Sequence, residues 1–240
     1  SSPTTAVRGN LLGAASMAGA IIVTLVSEGI VGVGVLWVAM AIGAALGYVM
    51  AVRVAMIQMP QMVALLNGFG GGSSAIVSLM TLVAAFWTAG AVSADAVAFG
   101  AFEKVTAVLG LIVGGITFSG SLMAAGKLAG KINQRPIIFE GQSTINNLAL
   151  VVTLALGLLA AVSGGAAAVA YAALVLVGSL AYGVLFTIKV GGADMPITVS
   201  LLNSFSGVAA SISGFAIRNP LLIAIGAVVG ASGLILTQIM

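Results

Sequence analysis

The chain has 240 residues, of which 61% are hydrophobic and only 5% are charged, and its formal net charge is +3. Soluble domains contain about 25% charged residues, so this chain cannot cover a globule with a surface compatible with water. It contains no Cys and no His, which excludes disulfides, thiolate or imidazole metal ligands, and acid–base catalysis by His. We therefore expect a membrane protein with no metal site, and its few basic residues are interpreted as loop charges rather than as a nucleic-acid surface.

Apolar runs of about 20 residues predict eight transmembrane helices. They cover residues 10–27, 33–52, 60–89, 104–126, 144–162, 166–188, 195–217 and 220–240. The third run is long for one span and contains Gly68 and Gly70 to Gly72, which predicts a bent or locally unwound segment. Pro60, Pro196 and Pro220 lie at predicted helix starts, where a missing N–H costs nothing. The predicted fold is all-α integral membrane, with one transmembrane domain over residues 1–240.

Two segments follow the same pattern 136 positions apart. Residues 59–71 recur as residues 195–207, with Met, Pro, Val, Leu-Leu, Asn, Phe and Gly in register. Such a repeat indicates a duplicated structural unit. Because four spans separate the two starts, both copies should run in the same direction. The eight helices are therefore predicted to form two parallel four-helix repeats, related by an axis along the membrane normal.

The basic residues are distributed unequally between the two sides of the predicted membrane. Six of the eight fall on one side and two on the other; the six are Arg8, Arg53, Lys127, Lys131, Arg135 and Lys189, and the two are Lys104 and Arg218. This bias predicts a multi-pass protein with both termini inside. The acids Glu28, Asp95, Glu103 and Glu140 lie in loops or at span ends and are interpreted as solvated.

Each copy of the repeat places one Asn inside an apolar helix. Asn67 and Asn203 each follow the repeat proline by seven residues, which puts them about 10 Å into a hydrocarbon core about 30 Å thick. Each is either an interhelical hydrogen-bonding group or part of a functional polar path. Around Asn203, the residues Ser200, Ser206 and Ser213 follow helical spacing and predict a polar face that can order water. Neither amide can take up a proton itself.

Asp194 and the last helix carry further candidate residues. Asp194 lies two residues before Pro196, which predicts that its carboxylate caps the seventh helix; a gating role at the membrane face is a separate hypothesis. In the last helix, Gly226 and Gly230 form a GxxxG pair, followed by Ser232 and Gly233. Close helix packing and a functional role both remain open for these small residues.

The chain resembles the membrane domain of the β subunit of proton-translocating nicotinamide nucleotide transhydrogenase. The resemblance is carried by residues 5–10, 59–71, 117–121, 192–196 with 203–207, and 226–233, and it extends over essentially all 240 residues. It implies that hydride passes from NADH to NADP⁺ in soluble domains outside the membrane, while the membrane domain carries a proton inward. NAD(H) and NADP(H) would then bind partner domains, and this chain would bind no cofactor.

The resemblance also implies roles for individual residues. Asn203, with Ser200, Ser206 and Asn67, would belong to a proton path lined by spans three, four, seven and eight. Asp194 would correspond to the acid at the cytoplasmic face. A small-residue last helix involved in conformational coupling would correspond to Gly226, Gly230, Ser232 and Gly233. Some members carry a proton-relay His where this chain has Asn67. Either the titrating group comes from the α subunit or this member conducts through water alone, and the first is expected because a coupled pump needs a group that changes charge.

The implied partners are the α subunit, with its transmembrane helices and NAD-binding domain, and an NADP-binding domain that normally follows this segment. The family's first β-subunit span and that soluble domain are expected to lie outside this sequence. A dimer of protomers in a lipid bilayer, in the bacterial inner membrane rather than the mitochondrial one, is also expected. Two other classes stay open at this point. A parallel-repeat secondary transporter predicts a substrate-sized cavity at mid-membrane depth, and a structural subunit predicts that Ser200, Asn203 and Ser206 face a dry interface.

Overall fold

The described residues form eight long helices. The computed structural model describes residues 3–88 and 100–240. The helices are α1 (Pro3–Ser27), α2 (Gly34–Arg53), α3 (Met59–Thr88), α4 (Ala101–Leu128), α5 (Gln142–Val162), α6 (Gly165–Ile188), α7 (Met195–Ala216) and α8 (Pro220–Ile239). All eight are long and apolar enough to cross a membrane. The predicted all-α fold with eight spans is confirmed; position 89 and Asp95 lie outside the described residues.

The chain divides into two compact units, Ser1–Val54 and Ala55–Met240. The first unit contains α1 and α2, joined by a 3-10 turn at Ile30–Gly32 whose Val31 carbonyl accepts a hydrogen bond of 2.8 Å from the Trp37 indole. The second unit contains α3 to α8. This boundary follows α2, whereas the predicted repeat boundary lies between α4 and α5. The arrangement of eight helices as two four-helix halves therefore stays a prediction.

In the second unit, α4 is the central helix and packs against α3, α5, α6 and α7. Its inward-facing side chains, including Leu111 and Ile112, are buried together with Val175 of α6 and Leu82 of α3. The other extensive helix pair is α7 with α8. Each copy of the repeat thus packs closely with the helix that follows it.

The two copies of the repeat begin with the same backbone geometry. A 3-10 turn precedes each helix, at Met56–Gln58 and Gly192–Asp194. The residues before the turns, Ala55 and Gly191, have φ/ψ of −74°/153° and −74°/158°. The first helical residues, Met59 and Met195, have −56°/−42° and −59°/−37°. The prolines occupy the first turns of these helices, as predicted, because their missing N–H needs no partner there.

Glycines bring the backbones of both helix pairs into direct contact. A Cβ on Gly114 of α4 would lie 2.7 Å from the Gly71 carbonyl oxygen of α3, and a Cβ on Gly226 of α8 would lie 2.8 Å from the Gly207 carbonyl oxygen of α7. Gly71 and Gly207 are equivalent positions of the repeat. The contacts therefore pair Gly114 with Gly226 and give α4 and α8 a register, 112 positions apart, that the sequence alone does not provide.

The predicted unwinding of the third span is wrong. Helix α3 is continuous through its glycine run. Gly68, Gly71 and Gly72 all face α4, where added Cβ atoms would come within 3.3 Å of side-chain atoms of Ser121, Thr117 and Phe118. Small residues at a membrane-helix interface allow close approach. Packing against α4 thus offsets the low helix propensity of these glycines.

Charged groups mark the two ends of α4. At one end, called here the Lys127 end, Lys127 is fully buried and its ammonium donates to the carbonyl oxygens of Ile188 (2.5 Å) and Val190 (2.7 Å). These bonds offset the cost of burying the charge, and they correct the interpretation of Lys127 as a loop charge. At the Glu103 end, Glu103 is not simply solvated, because its carboxylate accepts two hydrogen bonds from Arg218, of 2.6 and 3.0 Å.

We expect Gly226→Ala to destabilise the protein, because the new methyl group would meet the backbone of α7. Overpacking of this kind typically costs about 1–3 kcal/mol. Gly70→Ala is the matched control, since a Cβ on Gly70 would meet no atom within 4 Å. Chemical unfolding in detergent should give a lower midpoint for Gly226→Ala and an unchanged or higher one for Gly70→Ala. Equal midpoints for the two variants would contradict the close α7–α8 contact.

Candidate functional site

Asn67 joins three helices within the second unit. Its side-chain Nδ2 donates to the Ser121 hydroxyl of α4 (2.9 Å), and its Oδ1 accepts from the Ser206 hydroxyl of α7 (2.8 Å). Ser206 also lies 3.3 Å from the Asn67 main-chain oxygen. Both ends of the amide are therefore satisfied by neighbouring helices, as an interhelical hydrogen-bonding role requires.

A second polar cluster lies further along the same helices. The hydroxyls of Ser78 (α3) and Ser213 (α7) are 3.0 Å apart, and Ser213 lies 3.5 Å from the main-chain oxygen of Ser74. Gly110 of α4 leaves room for this pair, because a Cβ there would lie 3.0 Å from the Ser213 oxygen. The eleven residues from Asn67 to Ser78 span about 16 Å at 1.5 Å per residue. The two clusters are therefore separate layers of one helix interface.

These contacts also show the direction of α3 and α7. Ser206 contacts Asn67, and Ser213 contacts Ser74, so the chain positions advance together and the helices run parallel. Both pairs are 139 positions apart, three more than the repeat offset of 136. Three helical residues rise about 4.5 Å. Equivalent residues such as Asn67 and Asn203 thus differ in level by less than one helical turn.

The polar face of α7 is wider than the sequence spacing predicted. Ser200 accepts a hydrogen bond of 3.0 Å from Thr237 of α8, whereas Ser206 and Ser213 face α3. Asn203 lies between these two directions; it is exposed, and no partner for its amide is found among the described residues. The predicted residues Ser206 and Asn67 are thus brought together, while Ser200 and Asn203 are directed elsewhere.

Asp194 occupies the predicted N-cap position of α7 but makes no side-chain capping hydrogen bond. Its φ/ψ of −92°/0° is that of the preceding 3-10 turn and not the extended conformation of a capping residue. Pro196 moreover removes one of the N–H groups that a cap would satisfy. Asn219, in contrast, caps α8 by accepting from the Leu222 N–H at 3.0 Å. The capping prediction for Asp194 is therefore wrong, and its exposed carboxylate is left available to other partners.

The small residues of α8 divide into two groups. Gly226, Gly230 and Gly233 are its buried residues and pack against α7. The Ser204 hydroxyl of α7 donates to the Gly230 carbonyl oxygen at 2.6 Å, across the contact. Ser232 instead is exposed and bonds within its own helix to Val229. The glycines thus form the packing interface, whereas Ser232 does not belong to it.

Ser121 is the partner of Asn67 that the sequence analysis does not identify. Ser121 lies in the segment 117–121 that carried part of the family resemblance, yet no role was attached to it. The sequence does contain a sign of this contact. Small hydroxyl residues at helical spacing, next to glycines, indicate a hydrogen-bonding interface between helices. The pairing itself depends on the register of α4 against α3, which the sequence does not provide.

Comparison with known proteins identifies the family of this chain. A family model described as NAD(P) transhydrogenase beta subunit matches residues 1–240. The chain belongs to this family. It is 41% identical over 242 aligned positions to the NAD(P) transhydrogenase subunit beta of Rhodospirillum rubrum, and a second sequence of that protein from a named strain of the same species gives the same identity. The alignment covers 100% of this chain and 50% of each relative, so the chain spans half the length of the curated relatives that it matches.

The buried polar groups of the second unit are mostly uncharged. In the part of the chain that the structure describes, no cluster of three or more His, Cys, Asp or Glu side chains could hold a metal ion. Apart from the Lys127 ammonium, the buried polar side chains of the described residues are amides and hydroxyls, which donate and accept hydrogen bonds but remain uncharged.

We expect Asn67 and Ser206 to be energetically coupled. Interhelical hydrogen bonds in membranes contribute about 0.6 kcal/mol on average, so Asn67→Leu should destabilise the protein by about 1 kcal/mol through its two bonds. A double-mutant cycle of Asn67→Leu with Ser206→Ala, measured by unfolding in detergent, should show a coupling of at least about 0.5 kcal/mol. Ser73→Ala is the control, because Ser73 bonds to Phe69 in its own helix. Additive effects in the Asn67–Ser206 cycle would exclude the observed bond as a stabilising contact.

Proposed function

We propose that this chain is the proton-translocating membrane part of an NAD(P) transhydrogenase. It couples inward proton movement to hydride transfer from NADH to NADP⁺, and the hydride transfer takes place in soluble domains outside this chain. The observation that carries the proposal is the family match over residues 1–240, combined with polar side chains at membrane depth on α3, α4 and α7. The cofactors are NAD(H) and NADP(H), both bound by partner domains.

The exposed amide of Asn203 supports a proton path completed by a second subunit. In the register of the two helix pairs, Ser121 corresponds to Gly233, 112 positions later. Asn67 bonds to Ser121, whereas the position equivalent to Ser121 beside Asn203 has no side chain. An unpaired amide in hydrocarbon costs several kcal/mol. We therefore assign the cover of Asn203 to transmembrane helices of the α subunit.

A division of chemical roles follows from this arrangement. Asn203, with Ser200 and Ser206 on its two sides, orders water along α7, and Asn67 fixes the position of Ser206. Because amides do not titrate near neutral pH, the group that takes up and releases the proton belongs to the α subunit. His would suit this step, since its ordinary pKa lies near 6.5. A dry interface at Asn203 would instead support the structural-subunit alternative.

Asp194 and the α7–α8 contact are suited to coupling. The Asp194 carboxylate is exposed and is not used as a helix cap, so it can contact the NADP(H)-binding domain at the membrane face. Gly226, Gly230 and Gly233 place α8 against α7 through the backbone, without flexible side chains between them. A displacement of either helix is thereby transmitted to the other. Ser232 is exposed, so we assign its role in coupling to contact with a partner.

The proposal includes an orientation and an assembly. Both termini lie inside a bacterial inner membrane, as the unequal distribution of basic residues favours, and two protomers form a dimer. The secondary-transporter alternative requires a substrate-sized cavity at mid-depth. Two polar-lined cavities of the second unit lie instead at helix ends, between the start of α5 and the end of α6 and between the start of α3 and the end of α4. A third cavity, of about 300 Å³, does lie beside the central parts of α4 and α7, but its lining is mainly apolar and offers a polar substrate few binding groups.

We expect Asn203→Leu to abolish proton-coupled transhydrogenation, because it removes the amide that anchors the water. The assay is reverse and forward hydride transfer by the assembled enzyme in proteoliposomes, with and without a proton gradient. Hydride exchange that requires no net proton movement should survive, since the nucleotides bind outside the membrane. Asn203→Ser, which keeps a polar group, should retain partial coupling. Full coupled activity in Asn203→Leu would contradict the proposed path.

For Asp194→Asn we expect normal stability and weakened coupling. The side chain makes no capping bond, so unfolding should be unchanged. Loss of the charge should lower coupled activity at least about tenfold, which corresponds to about 1.4 kcal/mol in the barrier. Glu140→Gln, which removes another exposed carboxylate, serves as the control and should behave as the wild type. Coupled activity equal to that of the control would remove Asp194 from the mechanism.

A further inference from the structure

A polar cavity of about 520 Å³ lies at the Lys127 end, between the start of α5 and the end of α6. Its polar lining comes from the first turns of α5 and from Lys189, which follows α6; the lining residues that the argument uses are Ser143, Asn146, Asn147, Tyr182, Phe186 and Lys189. None of the groups assigned above to the proton path lines it. The cavity is therefore a separate feature of the second unit.

The charges around this cavity favour an anion. The Lys189 ammonium lies 5.7 Å from the centroid of the Phe186 ring, beside the opening. Helix α5 begins without a side-chain cap, because its N-cap residue is Gly141, so the positive end of the helix dipole faces the cavity. No carboxylate is among the lining residues, and the nearby Glu140 is exposed and does not line the cavity. The buried ammonium of Lys127, bonded to Ile188 and Val190 on both sides of Lys189, adds positive charge close by.

Asn146 supplies an independent sign of a missing ligand. Its side chain lines the cavity and is only 7% exposed, yet its Oδ1 has no hydrogen-bond partner among the described residues. Leaving a buried acceptor unpaired costs about 1–3 kcal/mol. A ligand that brings a donor group for Asn146 as well as negative charge for Lys189 would satisfy both side chains.

An apolar groove lies next to the cavity, beside the central parts of the helices. This groove, of about 300 Å³, shares Tyr182 and Phe186 with the polar cavity and is otherwise lined mainly by apolar side chains of α4, α5, α7 and α8, among them Leu150. The rings of Tyr182 and Phe186 are stacked at 6.3 Å, and Phe205 lies 6.4 Å from Phe186.

We propose that the cavity and the groove together bind one membrane glycerophospholipid. The phosphate lies beside Lys189 and the first turn of α5, and a hydroxyl or ammonium of the headgroup donates to Asn146. One acyl chain occupies the groove beneath Tyr182 and Phe186. Basic pockets between transmembrane helices bind phospholipid headgroups in this manner. An anion site, an unpaired acceptor and an adjacent apolar groove occur together here. This combination fits a phospholipid better than a free anion or a protein helix.

The test is lipid retention by the full-length protein with its partner subunits, extracted from the membrane and delipidated in detergent. Phosphatidylglycerol is then added and the lipid bound per chain is counted by native mass spectrometry. The wild type should retain one molecule. Lys189→Gln should lower its affinity about fivefold, which corresponds to about 1 kcal/mol per basic residue at a membrane surface. Lys131→Gln removes an exposed lysine that does not line this cavity and should bind as the wild type does.

A second variant separates a phospholipid from other occupants. Leu150→Trp fills the groove without touching the polar cavity, so it should lower retention of phosphatidylglycerol at least as strongly as Lys189→Gln. Size-exclusion chromatography and the unfolding midpoint confirm that each variant is folded. Equal retention by the wild type and Lys189→Gln, or by the wild type and Leu150→Trp, would overturn the proposal. Displacement of the bound species by inorganic phosphate alone, or co-purification of a protein helix crosslinked at position 150, would also overturn it. Because the readout is bound lipid, it does not depend on transhydrogenase activity.

Discussion

The second unit depends on direct backbone contact between α3 and α4 and between α7 and α8. Gly71 and Gly114 make the first contact, and Gly207 and Gly226 make the second. In a bilayer the apolar side chains gain little by leaving lipid for protein, so helix association relies on close packing and interhelical hydrogen bonds. The glycines supply the close packing and bring serine hydroxyls within bonding distance of the next helix. The polar layers between α3, α4 and α7 exist because these backbones lie so close together.

Both copies of the repeat make this backbone contact, but their asparagines differ in hydrogen bonding. The amide of Asn67 is satisfied by Ser121 and Ser206 inside the bundle. At the position of Ser121, the second pair has Gly233, and Asn203 is left exposed. One of the two side-chain partners of Asn67 therefore has no counterpart beside Asn203. Under the proposed function, this difference would suit a subunit whose proton path is completed by a neighbouring subunit.

The sequence predicted the helices better than it predicted the contacts between them. Long apolar runs and prolines at helix starts determine the spans locally, and the repeat predicted that α3 and α7 run parallel. The unwinding of α3 was wrong because helix propensity ignores the packing of Gly68 and Gly71 against α4. The cap of Asp194 failed because the preceding 3-10 turn sets its backbone conformation. The burial of Lys127 and the pairing of Glu103 with Arg218 depend on residues more than 60 positions away, which no local pattern reveals.

The unequal ends of α4 have a mechanical consequence. At the Lys127 end, a fully buried ammonium holds the segment that leads into α7 by strong charge-assisted bonds. At the Glu103 end, the segment after α7 is held by Arg218, whose side chain is 59% exposed, and exposed ion pairs contribute only about 0–1 kcal/mol. Helix α7 is therefore held by a strong charged contact before its start and by a weak one after its end. With respect to these two charged contacts, displacing the Ser213 end of α7 costs less than displacing the Ser200 end, which lies next to the connection to α6.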